Sequence, residues 1–78
     1  MPTVLRIGPY RFFFFSHEPG EPPHVHVERD EDAAKFWLDP VELAANHGFR
    51  RHELNTVRSL VIEHKIFLKE KGHAYFAG

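Results

Sequence analysis

Two histidines, His24 and His26, stand one residue apart in the stretch PPHVHV, and their spacing suits chemistry. Successive side chains of a β-strand point to opposite faces, so residues at alternate positions share a face. If this stretch is a strand, the two imidazoles stand side by side. A histidine ring titrates near neutral pH, and its neutral form also binds metal ions. The pair therefore suits either proton transfer or metal binding.

Both chemistries remain open at the level of the sequence. Two imidazoles can act as general base and general acid, while a lysine stabilises the negative charge that develops on a phosphate. This combination suits metal-independent, ribonuclease-like cleavage of RNA. Alternatively, the pair can ligate one divalent metal ion, with further ligands from the imidazole and carboxylates nearby, which are His17, Glu18 and Glu28. Histidines on a strand can also lie at the protein surface without any catalytic or metal-binding role.

The elements that position the pair are predicted from the alternation of polar and apolar residues. Four segments are typical of strands and a fifth is short, which gives a sheet of four to five strands over residues 3–7, 10–16, 24–28, 33–38 and 41–45. The seven residues before His24 contain three prolines and a glycine, so we expect a loop there.

The third and fourth predicted strands form the best-supported hairpin, because only the charged turn RDED separates them. A symmetric turn pairs His26 with Lys35 and His24 with Trp37, and cross-strand partners lie about 5 Å apart on one face. Glu28 shares that face. We call these five residues the histidine face. Lys35 is then a catalytic helper beside the pair, and Trp37 and Glu28 are substrate contacts, with Trp37 stacking on a base.

The opposite face of this hairpin is apolar, and we expect a helix to cover it. From about residue 51 to 71, apolar residues recur at helical spacing, which predicts one long amphipathic helix followed by a short tail. Gly72 is expected to end this helix. His64 lies in the apolar stripe, where it is either a buried structural histidine or a third member of the candidate site.

The sequence therefore predicts an α+β fold, an antiparallel sheet with one long C-terminal helix packed on one face. Residues 1–78 are expected to form a single domain. The run FFFF puts phenylalanines on both faces of its strand, and one helix covers only one face. Ile62 and Ile66 also fall outside the apolar stripe. These features favour a homo- or hetero-oligomer, with the isoleucines at the interface.

Composition excludes several classes of protein. With 42% hydrophobic residues and a net charge of −1, the chain is too apolar for intrinsic disorder. The absence of cysteine excludes disulfides, thiol nucleophiles and thiolate ligands. No apolar run approaches the ~20 residues that span a membrane, and no signal peptide is visible, so we expect a cytoplasmic protein without a membrane partner. Serine-hydrolase, phosphate-binding glycine-loop and zinc-finger motifs are also absent from the sequence.

The stretches EPGEPPHVHVE and AKFWLDPVELA, followed by GF, HEL and EH, resemble the small bacterial proteins with the domain of unknown function 4160. The resemblance runs over residues 3–76. It implies that His24 and His26 are the paired histidines of the family and that His64 is its helix histidine. It also implies a small protein partner encoded nearby, in a toxin–antitoxin-like module of two proteins.

The chain departs from the family pattern at two positions of the predicted helix. Arg50 stands where a serine usually caps the helix start, and Gly72 stands where a tryptophan is usual. Three functions remain open. The first is an RNA-directed component of a two-protein module, which uses paired-histidine acid–base chemistry and no cofactor. The others are a non-catalytic interaction module and a metal-binding protein with His24, His26 and Glu18 as ligands.

Overall fold

The computed structural model describes residues 3–14 and 20–77, with side chains up to residue 74. One antiparallel sheet has its strands in sequence order, and they are β1 (Thr3–Ile7), β2 (Tyr10–Phe13), β3 (His24–Arg29), β4 (Asp32–Leu38) and β5 (Val41–His47). Two helices follow, α1 (Arg51–Glu63) and α2 (Lys65–Ala77). The predicted α+β class is confirmed. Part of the second predicted strand, residues 15 and 16, lies outside the described residues.

The hydrophobic core lies between one face of the sheet and the two helices. On β3 and β4 the core-facing apolar positions alternate with residues that face the other side of the sheet, and Val25 pairs with Phe36 across the two strands. The fully buried side chains come from both layers and include Phe12, Val25, Val27, Phe36, Val57, Val61 and Leu68. The helices therefore cover the face that the sequence pattern marked as apolar.

The prediction of a single long helix is wrong, because α1 and α2 meet at His64. The backbone of His64 has φ −107° and ψ 17°, outside the α-helical range. The carbonyl of Leu60 accepts the backbone N–H of His64 at 3.0 Å, and the His64 ring Nδ1 lies 2.9 Å from the same oxygen. The Leu60 oxygen thus accepts two hydrogen bonds, and a side chain that bonds the carbonyl four residues back often bends a helix.

Gly72 does not end the second helix, which continues to Ala77. Its missing side chain leaves room for the ring of Phe14, since a Cβ placed on Gly72 lies 3.4 Å from Phe14 Cζ, an ordinary contact. We expect Gly72→Ala to raise the free energy of unfolding by about 1 kcal/mol, because alanine is the better helix former. Urea denaturation measures this change, and a lower stability would show that Phe14 cannot accommodate the methyl group.

A polar contact ties the start of α1 to the sheet. The hydroxyl of Tyr10 donates a 3.0 Å hydrogen bond to Glu53 Oε2, and the guanidinium of Arg29 donates to the same oxygen. The hydrogen bond from Arg29, with help from that of Tyr10, holds the pKa of Glu53 below its usual value, although burial opposes the shift. Burial and the Glu53 carboxylate raise the pKa of Tyr10.

This contact predicts a pH dependence of stability. Because the pKa of Glu53 is lower in the folded protein than in the unfolded chain, its contribution is present above the unfolded pKa and lost as the pH falls through the folded pKa. We expect Glu53→Gln to lower the urea midpoint at pH 7 and to flatten its fall between about pH 5 and 3. Glu31→Gln, in the exposed β3–β4 turn, is the control. Parallel curves for wild type and Glu53→Gln contradict the assignment.

No described helix is long and apolar enough to cross a membrane.

Candidate functional site

The histidine face lies on the side of the sheet opposite to the helices. The register expected from a symmetric turn is confirmed, because His24 pairs with Trp37, His26 with Lys35, and Glu28 with Ala33. Since alternate residues of a strand share a face, the five predicted site residues lie together on this side of β3 and β4. The sheet thus separates them from the hydrophobic core.

The two prolines before His24 fix the start of the strand through their carbonyl groups. Pro23 O accepts the backbone N–H of Leu38 at 2.9 Å, which joins the loop to β4. Pro22 O lies 2.9 Å from His24 Nδ1. Nδ1 carries the proton in such a bond, so the lone pair of the neutral His24 ring is on Nε2. Backbone carbonyls often orient a histidine ring in this way for proton transfer or ligation.

The rings of the histidine face contact one another. His24 meets His26 edge-on with centroids 5.4 Å apart, and it meets Trp37 in the same manner at 5.8 Å. His24 is only 3% exposed, whereas His26 and Trp37 are half-buried. A ligand on this face therefore has much better access to His26 and Trp37 than to His24.

Two residues of β2 extend this face, and the sequence pattern did not single them out. Phe13 pairs with His26 across the strands and stacks on its ring, with centroids 5.5 Å apart. Arg11 pairs with Glu28, donates to its carboxylate at 2.7 Å, and places its guanidinium 4.5 Å from the centroid of the Phe13 ring. The sequence shows that Arg11 and Phe13 share a face of their strand, but it does not show which strand pairs with theirs. Glu28, a predicted substrate contact, is thus paired with Arg11.

Lys35 lies beside the histidine pair, as predicted, and it contacts both Trp37 and Glu21. Its ammonium lies 4.8 Å from the centroid of the Trp37 ring. It also donates to the carboxylate of Glu21, in the loop before β3. The Lys35 and Glu21 side chains are 18% and 34% exposed, so the ion pair is partly shielded from water. Glu21 is a third residue that the sequence pattern missed, because nothing in the sequence of a loop fixes where a side chain points.

His64 does not join this cluster. It lies at the turn between α1 and α2, on the helical side of the sheet, and its ring is bonded to Leu60 O. The prediction of a buried histidine is wrong, because the His64 side chain is 31% exposed and therefore only partly buried. The interpretation of His64 as a structural residue fits its position, because it shapes the helix turn.

A metal centre is not assembled among residues 3–14 and 20–77, where no group of three or more histidine, aspartate or glutamate side chains is arranged to hold an ion. His17 and Glu18, which the sequence offered as further ligands for the pair, lie outside the described residues.

Comparison with known proteins identifies a family. Searches of the curated proteins and of the solved structures returned no significant match. The model of the family described as Domain of unknown function (DUF4160) matches residues 10–71, which include both prolines, the whole histidine face and helix α1. Because this match spans well over half of the 78 residues, the chain belongs to the family of the domain of unknown function 4160.

Proposed function

We propose that this protein acts on RNA through the histidine face, as one component of a toxin–antitoxin-like module of two proteins. The observation that carries the proposal is the contact of an imidazole, an indole and an ammonium group on the sheet face opposite to the helices. Aromatic rings stack on bases, ammonium groups bind phosphates, and imidazoles exchange protons near neutral pH. A ribonucleotide in a single strand offers a partner to each.

Cleavage of RNA at this face requires two proton transfers. One group takes the proton from a 2′-hydroxyl, whose oxygen attacks the adjacent phosphorus, and another gives a proton to the departing 5′-oxygen. In our proposal His26, which is half-exposed, carries out one transfer, and His24 carries out the other through Nε2. Lys35 stabilises the charge that develops on the phosphate oxygens. Side chains of the protein thus carry out both proton transfers and stabilise the developing charge.

Substrate binding in this proposal depends on Trp37 and on the charges around it. Stacking of one base on an aromatic ring contributes about 1–3 kcal/mol and tolerates any sequence. The Arg11 guanidinium holds the Glu28 carboxylate in place. This carboxylate can accept a further hydrogen bond from a hydroxyl or an amino group of the nucleotide. The protein is therefore expected to prefer single-stranded RNA, whose bases are accessible for stacking.

The proposal is tested with protein purified without its partner and without a histidine tag. End-labelled single-stranded RNA is incubated with the wild type and with His24→Ala, His26→Ala and His52→Ala, the last being an exposed histidine at the start of α1. We expect cleavage by the wild type and by His52→Ala, and loss of cleavage in the other two variants. Equal cleavage by all four proteins contradicts the site, and no cleavage by the wild type contradicts the activity.

A non-catalytic interaction module is the second candidate, and the exposure of Ile62 and Ile66 favours it. These side chains are 55% and 73% exposed on the helices, and a partner chain that packed there would bury both. This candidate predicts a homodimer, which the double variant Ile62→Ser/Ile66→Ser separates into monomers. Light scattering after size exclusion measures the mass, and a monomeric wild type contradicts the candidate.

A further inference from the structure

One arginine beside the histidine face has no carboxylate partner in the part of the chain that the structure describes. Arg6 pairs with Arg11 across β1 and β2, and Arg11 pairs with Glu28 across β2 and β3. Because directly opposite residues of a sheet share a face, Arg6 lies on the same side of the sheet as the histidine face. Arg6 is exposed, so a ligand on this side of the sheet can reach its guanidinium.

Arg11, in contrast, is fixed by neighbours on three strands. Its side chain donates to Thr3 Oγ1 at 2.6 Å and to Glu28 at 2.7 Å, and it lies over the ring of Phe13. Arg6 therefore stands directly opposite a like charge that other residues hold in place, and such a pair destabilises a sheet. Natural proteins break the rules of local stability mainly at functional sites, so the position of Arg6 indicates an anionic ligand.

We propose that Arg6 binds a backbone phosphate of single-stranded RNA at a distance from the bond that is cleaved. This inference rests on the proposed function, and it makes the substrate an oligoribonucleotide that extends along the sheet. A guanidinium suits this role because it is always charged and donates two parallel hydrogen bonds to the oxygens of one phosphate. Arg6 thereby positions the RNA strand without touching the reacting atoms.

The spacing of the strands sets the length of RNA that reaches Arg6. Trp37 lies on β4 and Arg6 on β1, three strands apart in the sheet. At about 4.8 Å per strand, the two strands are about 14 Å apart. Stacked nucleotides advance about 3.4 Å each, so no more than about four nucleotides separate a base on Trp37 from a phosphate on Arg6. A hexaribonucleotide therefore spans both positions.

The matched variants are Arg6→Gln and Arg58→Gln. Both substitutions remove one positive charge from an exposed arginine, but Arg58 lies on helix α1, on the other side of the sheet. Arg58→Gln therefore accounts for the general change in net charge. Since Arg6→Gln removes a like charge from beside Arg11, we expect no loss of stability in urea denaturation. A change in RNA binding by this variant then reflects the lost contact and not unfolding.

Two ligands of different length separate the remote phosphate from the cleaved bond. The first is a labelled hexaribonucleotide, 2′-O-methylated so that it stays intact, whose binding is measured by anisotropy over a range of salt concentrations. We expect Arg6→Gln to bind it about fivefold more weakly than the wild type, the upper end for an exposed ion pair. The slope of log K against log salt should fall by about 0.7, the value for one phosphate of a single strand.

The second ligand is a dinucleoside monophosphate, whose single phosphate is the one that is cleaved. Its binding, followed through Trp37 fluorescence, should be equal in the wild type and both variants. Wild-type affinity of Arg6→Gln for the hexaribonucleotide overturns the inference and leaves the proposed function standing, and so does an equal loss in Arg58→Gln. An equal loss for the dinucleoside monophosphate contradicts the remote position of Arg6. Failure of the wild type to bind either ligand contradicts the proposed function itself, and the inference with it.

Discussion

Replacing His26 with alanine should lower the rate of RNA cleavage by about 10²–10⁴-fold, the range typical for loss of a general acid or base. The ring of His26 lies at the centre of the histidine face, where it stacks on Phe13 and contacts His24. Because His26 is half-buried on the face away from the core, its truncation should leave the protein folded. Single-turnover kinetics with labelled RNA measures the rate, and circular dichroism checks the fold.

The control for this prediction is His52→Ala, which removes an exposed imidazole from helix α1. Its rate should equal that of the wild type within experimental error. A rate for His26→Ala close to that of the wild type shows that His26 carries no proton in the rate-limiting step. An equal loss of rate in His52→Ala attributes the effect to something other than the histidine face.

Phe36→Ala should lower the free energy of unfolding by about 3–5 kcal/mol, the cost of truncating a buried aromatic side chain in a core. Phe36 is 1% exposed and lies on β4, paired with Val25 on the face that the helices cover. Small domains have a total stability of only about 5–15 kcal/mol. We therefore expect this substitution to remove a large part of the total stability, and urea denaturation monitored through Trp37 measures the loss.

Ile66→Ala is the matched comparison, because it also removes a large apolar side chain but from a position that is 73% exposed. Truncation of an exposed side chain changes stability by no more than about 0.5 kcal/mol. A loss for Phe36→Ala as small as this contradicts the packing of the core. A loss for Ile66→Ala as large as that of Phe36→Ala indicates that Ile66 is buried between copies of the chain, which is the outcome the interaction module predicts.

The hairpin that carries the histidine face could be predicted from the sequence residue by residue. The turn RDED is short and lies between two stretches with alternating core-facing positions, and a symmetric turn puts Val25, Val27 and Phe36 on the same face. A shift of β4 by one residue would have placed Phe36 on the face opposite to Val25 and Val27. The observed pairing of His24 with Trp37 and of His26 with Lys35 follows from this constraint.

The third strand of the site could not be predicted in the same way. Ten residues, three of them prolines, separate β2 from β3 in the sequence, so neither a short turn nor chain length sets the register of the two strands. Arg11 and Phe13 consequently join the site without a signal in the sequence. The break at His64 was missed for a related reason. The apolar stripe continues through Val57, Val61 and Leu68 whether the helix is straight or bent, so its periodicity does not reveal the turn.

The most direct test of the central claim, that the histidine face binds RNA, is the fluorescence of Trp37 during a titration with a single-stranded oligoribonucleotide at low salt. Trp37 is the single tryptophan of the chain and lies between His24 and Lys35. We predict a saturable change in its emission that weakens as salt is added, because phosphate contacts release counterions. The claim is contradicted if the oligonucleotide does not bind to the protein. It is also contradicted if the oligonucleotide binds while the emission of Trp37 stays constant.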